Sequence, residues 1–587
     1  MKNPASTTAT PDVATFALLV EGASVSGRFH LLSLAVSKEL NRIPSAALEL
    51  RDGDPAQATF EASNTDLFIP GKHIEIQLGY GGANESVFKG VIVKHSIRVR
   101  KNDSVLVVEC RDLAVRMTVE PKSRHFLDKK DSEIIDDIIA AHGLSSEVEE
   151  TNAKLEEVVQ FNVTDWDFVL CRAEANGLVV LVADSLVVVQ RPALDPEPVV
   201  TIKYGATLLE LDAEIDARWQ STGIKAASWS AADQALVEAE GSEPPAGNSG
   251  NLTPDDLAQA LGAPAPVLRH GGALGQPELQ AWADARLLKE RLAKLRGRAK
   301  IQGFAGAAPG DMVELKGVGA RFEGKQFVSG VRHTVVNGNW VTDLQFGLNP
   351  QLFAESYNLR PLPAGGLLPG VSGLQIGVVS ALAGDPASEE RIAVRLPLLG
   401  DAGDGLWARL ATLDAGKERG TFFRPEIGDE VVVGFLEGDP RHPVVLGMCH
   451  SSAKPAPESL ADTNHHKGYV SREKLRLTFD DEKKIIRVET PGGNRVTLSD
   501  EANSILLQDQ HGNKITMDSK GISIVSSKDL SFKANGSVKL GAASNVDIKA
   551  QAALTVAASG SAEVSGATTK INGSATVIVK AGMVLIN

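Results

Sequence analysis

Aromatic residues make up only 5% of the 587 positions, and cysteine occurs three times, at Cys110, Cys171 and Cys449. The cysteines are far apart and odd in number, with no Cys-x-x-Cys spacing, which argues against a disulfide framework or a zinc site. They read as reduced, packed thiols in a protein made in the cytosol. A basic excess is also lacking: 60 Lys and Arg stand against 74 Asp and Glu, for a formal net charge of −14. A nucleic-acid backbone needs a basic footprint, so no nucleic acid is expected as partner. No window approaches 18 consecutive apolar residues, and no membrane-spanning helix is expected. The stretch MKNPASTTATPDVATFALLV has no basic run followed by a sustained apolar core, so no signal peptide is read there. Motifs of catalysis are missing too. There is no GxSxG elbow, and Gly81-Gly82 after Tyr80 lacks the spacing that cradles phosphate.

What is present is a period of eight. From about Gly521 onward apolar residues come as i, i+2 pairs: Ile522/Ile524, Leu530/Phe532, Val538/Leu540, Val546/Ile548, Leu554/Val556 and a weaker Ala562/Val564. The register then slips by one residue and resumes as Thr569/Ile571 and Val577/Val579. Gly, Ala, Ser, Asn and Lys fill the spaces, and no Pro interrupts. A fixed short period marks a repeating β architecture. The i, i+2 side chains of a strand share one face, and so short a unit cannot bury that face alone. Each octad advances a rod by about 4.7 Å, so eight or so give a length on the order of 40 Å. The isolated single-chain rod is expected to be unstable, because ordering its backbone costs as much as its few apolar pairs return.

Upstream, alternating runs from about 14 to 120 read as a small barrel or sandwich. DKKDSEIIDDIIAAHG reads as a helix capped by Asp131 or Ser132, with Ile134, Ile135, Ile138 and Ile139 on one face and Gly143 as its stop; His142 is read as complementing the helix dipole. TDWDFVLCRAEANG reads as a second helix, capped by Thr164 and ended at Asn176-Gly177. Residues from about 231 to 275, rich in Pro, Gly, Ala and Ser, read as an exposed linker with a short helix at LAQAL. A helix follows from Pro277 to a stop at Gly297, with i, i+4 pairs Arg286/Glu290 and Glu290/Lys294. Strands resume over about 296–348. The segment of about 371–450 has five strands, which fits an OB-type barrel. A polar connector follows, in which His465-His466 read as solvated and not as metal ligands. Further strands from Lys474 lead into the octads, with Asp480, Asp481 and Glu482 forming a turn. No catalytic, cofactor or metal constellation emerges.

Two stretches resemble VgrG and contractile-phage hub proteins. One is Phe161-Asn162-Val163-Thr164-Asp165-Trp166-Asp167-Phe168, followed by Arg172-Ala173-Glu174-Ala175-Asn176-Gly177. The other runs from Pro425 through Gly428, Asp429, Gly434 and Phe435 to Gly438-Asp439-Pro440. Residues Gly303 to His333 are similar to a second hub barrel. The segment Asn41 to Pro55 looks closest to spikes of extracellular, antifeeding-prophage-type particles.

The resemblance implies a mainly β fold: two hub β-barrels with helical insertions (about 14–120 and 296–348, within a hub of 1–360), an OB-fold domain at 365–450, a connector at 451–473, and an intertwined trimeric β-helix needle at 474–587. It implies a homotrimer that adapts a hexameric tail tube protein and baseplate proteins to a threefold spike. A PAAR-like tip protein, cargo effectors or a tape measure, and transient contact with a target membrane complete the implied partners. The particle is expected outside or on the cell, and its task is mechanical puncture on sheath contraction. A type VI secretion VgrG or a phage tail spike shares the fold. A β-helical polysaccharide-degrading enzyme is the alternative from another class, but the octads carry only Asp529, Asp547 and Glu563 as acids, widely spaced.

Overall fold

The computed structural model describes residues 13–586 apart from 102, 246–248, 263, 401, 402 and 404. The reading of the first twelve residues therefore lies outside the described residues. The chain divides into two compact units, Met1–Gly447 and Met448–Asn587.

In the first unit, period-2 patterning makes one large sheet. Ser45–Arg51 shows the cause: Ala46, Leu48 and Leu50 are buried, while Ser45, Ala47 and Glu49 face the other way. The strand order is Leu208–Ile215, Leu295–Gln302, Asn339–Phe346, Gly324–Val336, Leu31–Glu39, Ser45–Arg51, Asp103–Arg111, Ala83–Arg100, His73–Tyr80 and Ala14–Val20, with Ala23–Ser24 at the edge. Val200–Lys203 and Met312–Lys316 extend it beside Gly324–Val336. The sheet encloses two cores. Leu34, Leu48, Phe68, Ile76 and Phe88 fill one. Ile202, Val313, Leu315, Val328 and Phe346 fill the other. The long Gly324–Val336 strand serves both, since Val335 packs in the first core and Val331 in the second. The first half curls back on itself: Ala14 N donates to Gly338 O at 3.1 Å, and the Tyr80 ring stacks on Trp340 at 5.3 Å. The two barrels read from the sequence thus share strands. Leu31–Glu39, absent from that reading, is the strand that joins them, through its register with Gly324–Val336.

Helices α1 (Asp131–Ala140) and α2 (Asp165–Ala175) pack together, with Ile134, Ile135, Ile138 and Ile139 facing Val169 and Leu170 in a third core. Thr164 caps α2 as expected, and Gly177 takes φ +70 just beyond its end. The expected cap of α1 is corrected. Lys130 occupies the cap position, and Asp131 and Ser132 are buried in the first turn. Asp131 is engaged by Arg172 and Asn176, which leaves its carboxylate no freedom to cap.

The linker expected over 231–275 is corrected as well. Lys225–Ser230, Ala235–Glu240 and Val267–His270 form a three-stranded sheet, and α3 (Pro254–Leu261) contains the expected LAQAL helix. Ile224, Ala226 and Ala239 of this region pack against Leu279, Ala283 and Leu287 of α4 (Gln276–Leu292). Helix α4 stops at Leu292, not Gly297, which already lies in the next strand. Arg286 does approach Glu290 at 3.6 Å, but Lys294 donates instead to Ser249 O and Leu252 O, at 2.8 and 3.1 Å.

The OB reading holds. Gln375–Ala381, Ile392–Arg395, Leu406–Leu410, Pro443–Met448 and Glu430–Phe435 close a five-stranded barrel around Val379, Val394, Ala408, Val431 and Val445.

The second unit opens with a seven-stranded antiparallel meander from His466–Val470 to Gly521–Val525. Asp481 and Glu482 lie in the turn after the strand that ends at Asp480. His466 begins the first strand and meets Glu458 at 3.0 Å, correcting its reading as part of a solvated loop. After Val525 no strand pairs within the chain among the described residues. The chain turns sharply at 527–528, 535–536, 543–544, 551–552, 559–560 and 567–568, every eight residues, and next at 574–575, one residue early. The early turn follows the first slipped pair, Thr569/Ile571, and restores the spacing between turn and pair before Val577/Val579.

Candidate functional site

The signature helix start is a hub of buried charge. Thr164 Oγ1 accepts from Asp167 N at 3.1 Å and donates to Asp167 Oδ2 at 2.7 Å. Trp166 and Phe168 are buried in the helical core, and Phe168 stacks on Phe126 at 6.0 Å. Asp165 is fully buried. Its Oδ2 accepts from Lys122 Nζ at 2.9 Å, Arg124 Nη2 at 2.9 Å and His142 Nε2 at 2.8 Å, and its Oδ1 from Gln160 Nε2 at 2.8 Å. Burial alone would push this carboxyl up, but hydrogen bonds from Gln160, His142 and Lys122 and the Arg124 charge outweigh it and hold it below the ordinary carboxylate range. One carboxylate thereby fastens the ribbon of Pro121–Lys130 and Lys154–Thr164, and the end of α1, to α2. His142 is a partner of Asp165 and not, as expected, a dipole cap. Further along, Arg172 makes a two-point contact with Asp131 at 2.7 and 2.8 Å, while Glu174 binds Lys289 and accepts from Phe353 N at 2.8 Å. These roles were missed in the sequence because the partners lie 41 to 179 residues away.

The second signature shapes the OB barrel. Gly428, at φ +88, lets the turn after Pro425 fold onto Val379: Gly428 N donates to Val379 O at 2.8 Å and Val379 N to Asp429 O at 3.0 Å. Asp429 Oδ2 accepts from Glu426 N at 2.9 Å. Gly434 and Phe435 end the Glu430–Phe435 strand. Gly438 O accepts from Val371 N at 2.8 Å, and Asp439, just before Pro440, takes a fork from Arg441 at 3.0 and 2.6 Å. That hydrogen-bonded fork holds the Asp439 carboxyl down to about 2. Both signatures are therefore hydrogen-bonded networks that fix local geometry. Burial pushes the Cys110 thiol up to about 12 and the half-buried Cys171 thiol up to about 11, which disfavours the thiolate at both. Cys449 is exposed, which corrects its reading as packed.

The surface that stands out is in the second unit. Register pairs Leu477 with Val488, Val488 with Val496, Val496 with Leu507, Leu507 with Ile515 and Ile515 with Ile524. A parallel ladder runs Phe479, Ile486, Leu498, Ile505, Met517, Ile522. Both ladders lie on one face of the meander. In the single chain that face is open, with Val488 49% and Leu498 44% exposed. A groove of about 630 Å³ runs along it and on to Leu530. The octad pair Ile522/Ile524 is the last rung, so the apolar-pair rule begins in the meander and continues into the octads. Leu530, Phe532, Val538, Leu540, Val546, Ile548, Leu554, Val556, Val564, Ile571, Val577 and Val579 are likewise exposed in the lone chain.

These parts define a class: a strand-sharing double β hub, an OB barrel, and a terminal β unit whose apolar face lacks cover within one chain. Residues 10–337 match the family model described as Alg8 N-terminal domain, 375–450 the type VI secretion system/phage-baseplate injector OB domain, and 485–587 the phage baseplate V C-terminal trimerisation domain. The first match spans more than half of the chain, which therefore belongs to that family. Among curated proteins it is similar to the type VI secretion system spike protein VgrG1b of Pseudomonas aeruginosa, 29% identical over 192 residues, covering 30% of this chain and 25% of the relative. It is 34% identical over 84 residues to VgrG3 of Vibrio cholerae, covering 13% and 8%. The chain spans about a quarter of the length of VgrG1b and VgrG1c. Among solved structures, a tail protein from Neisseria meningitidis is 16% identical, covering 58% of this chain and 98% of that one at a TM-score of 0.43. A prophage tail protein from Shewanella oneidensis is 12% identical, covering 57% and 98% at 0.42. No helix of the described residues is long and apolar enough to cross a membrane.

Proposed function

We propose that this protein is the trimeric central spike of a contractile injection machine, acting mechanically and not as an enzyme. The observation that carries the reading is the pair of continuous apolar ladders across the meander, extended by the octads, in a segment that matches a trimerisation domain. Two further copies cover that face. Each buried apolar side chain then contributes about 1.5–3 kcal/mol, a gain available only on assembly. The turns every eight residues make the corners of a three-chain prism, with one apolar pair per chain facing its axis. Such a rod transmits axial force without a chemical step.

In this reading the hub meets the hexameric tube and the baseplate proteins, and the machine is of the extracellular, antifeeding-prophage type. A type VI secretion spike is the second reading, favoured by the names of the curated relatives. Within the octads the residue between each apolar pair is Ser523, Ser531, Lys539, Asp547, Thr555, Glu563 and Lys570, then Ile578, and one period on Ile586. Both Ile578 and Ile586 are exposed. This apolar collar supports a PAAR-like tip protein as its cover; cargo effectors or a tape measure remain part of the same proposal. Native mass spectrometry of the full chain tests the reading, with three chains per particle expected. Sustained hydrolysis of cell-wall glycan, abolished by one carboxylate substitution, would instead establish the enzymatic alternative.

A further inference from the structure

The solvent face of the large sheet carries a row of charge that can be read directly from its register. Glu210 lies opposite Lys300, Lys300 opposite Asp343, and Asp343 opposite Arg332. The row continues through Ser37 and Ser45 to Arg111. At one end every charge is answered: Lys300 binds Glu210, and in the neighbouring rows Arg298 meets Asp212 at 3.2 Å and Arg296 meets Glu214 at 2.6 Å. The pattern then breaks. Among the described residues neither Arg332 nor Arg111 has an ion-pair partner, and the two strands between them place Ser37 and Ser45 in the row, with no carboxylate between the two arginines; the Ser37 hydroxyl donates to Glu39 at 3.1 Å. Glu39 nearby is already held by Arg42 at 3.2 Å.

Two adjoining clefts open here, of about 220 and 310 Å³, sharing Ser37 and Glu39; Arg332 and Asp343 line the first and Arg111 the second. Asp343 is 9% exposed, and its Oδ1 has no hydrogen-bond partner; Arg298 Nη1 stays 3.8 Å away, beyond hydrogen-bond range. A buried carboxylate oxygen without a donor is costly, so the cleft is incomplete without a group that donates to it.

We propose that this face is a docking site for an acidic segment of a partner protein, laid across Leu31–Glu39 and Ser45–Arg51. Carboxylates of the segment pair with Arg332 and Arg111, which stand about three strand spacings, or roughly 14 Å, apart. A main-chain N–H or hydroxyl of the segment donates to Asp343 Oδ1. Arginine suits this task because its planar fork makes two-point contact with a carboxylate. The net charge of −14 repels an acidic peptide from the protein as a whole. Binding of such a peptide therefore reports a local site and not a general attraction.

The test uses the full chain and a fluorescein-labelled hexaglutamate peptide, followed by anisotropy at low ionic strength. Arg332→Gln and Arg111→Gln are each expected to weaken binding about tenfold or more, the loss of one charge-assisted contact, whereas Lys417→Gln on an exposed loop leaves it unchanged. Both arginines are on the solvent face, and equal melting temperatures confirm that the variants fold. Absence of peptide binding to the unaltered chain, or equal affinity in all four proteins, overturns the proposal. Variants that change the native mass and not the peptide affinity also overturn it, and assign the face to contacts between copies of this chain.

Discussion

The hub and the terminal unit use the same alternation of apolar and polar residues to opposite ends. In Ser45–Arg51 the apolar side is closed within the chain, and Leu48 and Leu50 have no exposure. In Arg495–Ser499 the apolar side, Val496 and Leu498, is open, while the polar side that carries Arg495 and Thr497 is the less exposed of the two. Alternation alone states that a strand has two faces; it does not state who covers the apolar one. The hub has enough strands and helices to wrap several cores of its own. The terminal unit has a single layer, and a single layer cannot bury its own face. In the proposed trimer its stability belongs to the assembly and depends on concentration, whereas that of the hub belongs to the chain.

That contrast can be broken or sharpened by substitution. The largest effect is expected from Leu507→Asp, which places charges on the shared apolar face: the particle falls to single chains in sedimentation while the hub retains its melting transition. Next, Asp165→Asn removes the charge that four side chains converge on. Breaking a buried pair costs about 3–5 kcal/mol, so calorimetry should show the hub transition lowered with the native mass unchanged. Leu48→Ala in the hub core costs about 2–5 kcal/mol, again without effect on assembly. A smaller effect concerns pH. Burial first, and the Lys38 charge second, lower His333 to about 3 from an ordinary 6.5. The unfolded chain thus binds the proton more readily, and this contribution is complete above about pH 6.5 and lost progressively below it. His333→Asn should flatten the hub melting temperature between pH 6.5 and 4. Asp165 acts lower: its depressed carboxyl contributes fully above about pH 4 and loses its contribution as pH falls further. The smallest effect is expected for Lys539→Ala between Val538 and Leu540, within about 0.5 kcal/mol.

Where pattern is local, it was legible in the residues. The octads, the Thr164 cap and the five OB strands each declare themselves within a dozen or so positions. The Leu31–Glu39 strand did not, because Ser33 and Ser37 dilute a run whose buried members are Leu34, Val36 and the following Leu40. The sheet within 225–270 was missed because it is built on Ala226 and Ala239, whose small side chains read as loop composition, and because one of its pairings is parallel and non-local. The true end of α4 depends on Lys294 reaching carbonyls of Ser249 and Leu252, about forty residues earlier. Asp165 was recognised as part of a signature, but its partners Lys122, Arg124 and His142 come together only in the fold.

In the proposed trimer the exposed ladders are an interface between copies of this chain. Native mass spectrometry of the full chain beside Leu507→Asp tests it most directly. Three chains per particle are expected for the unaltered protein and one for the variant. A single chain at every concentration, with residues 466–525 protected from hydrogen exchange, would contradict it.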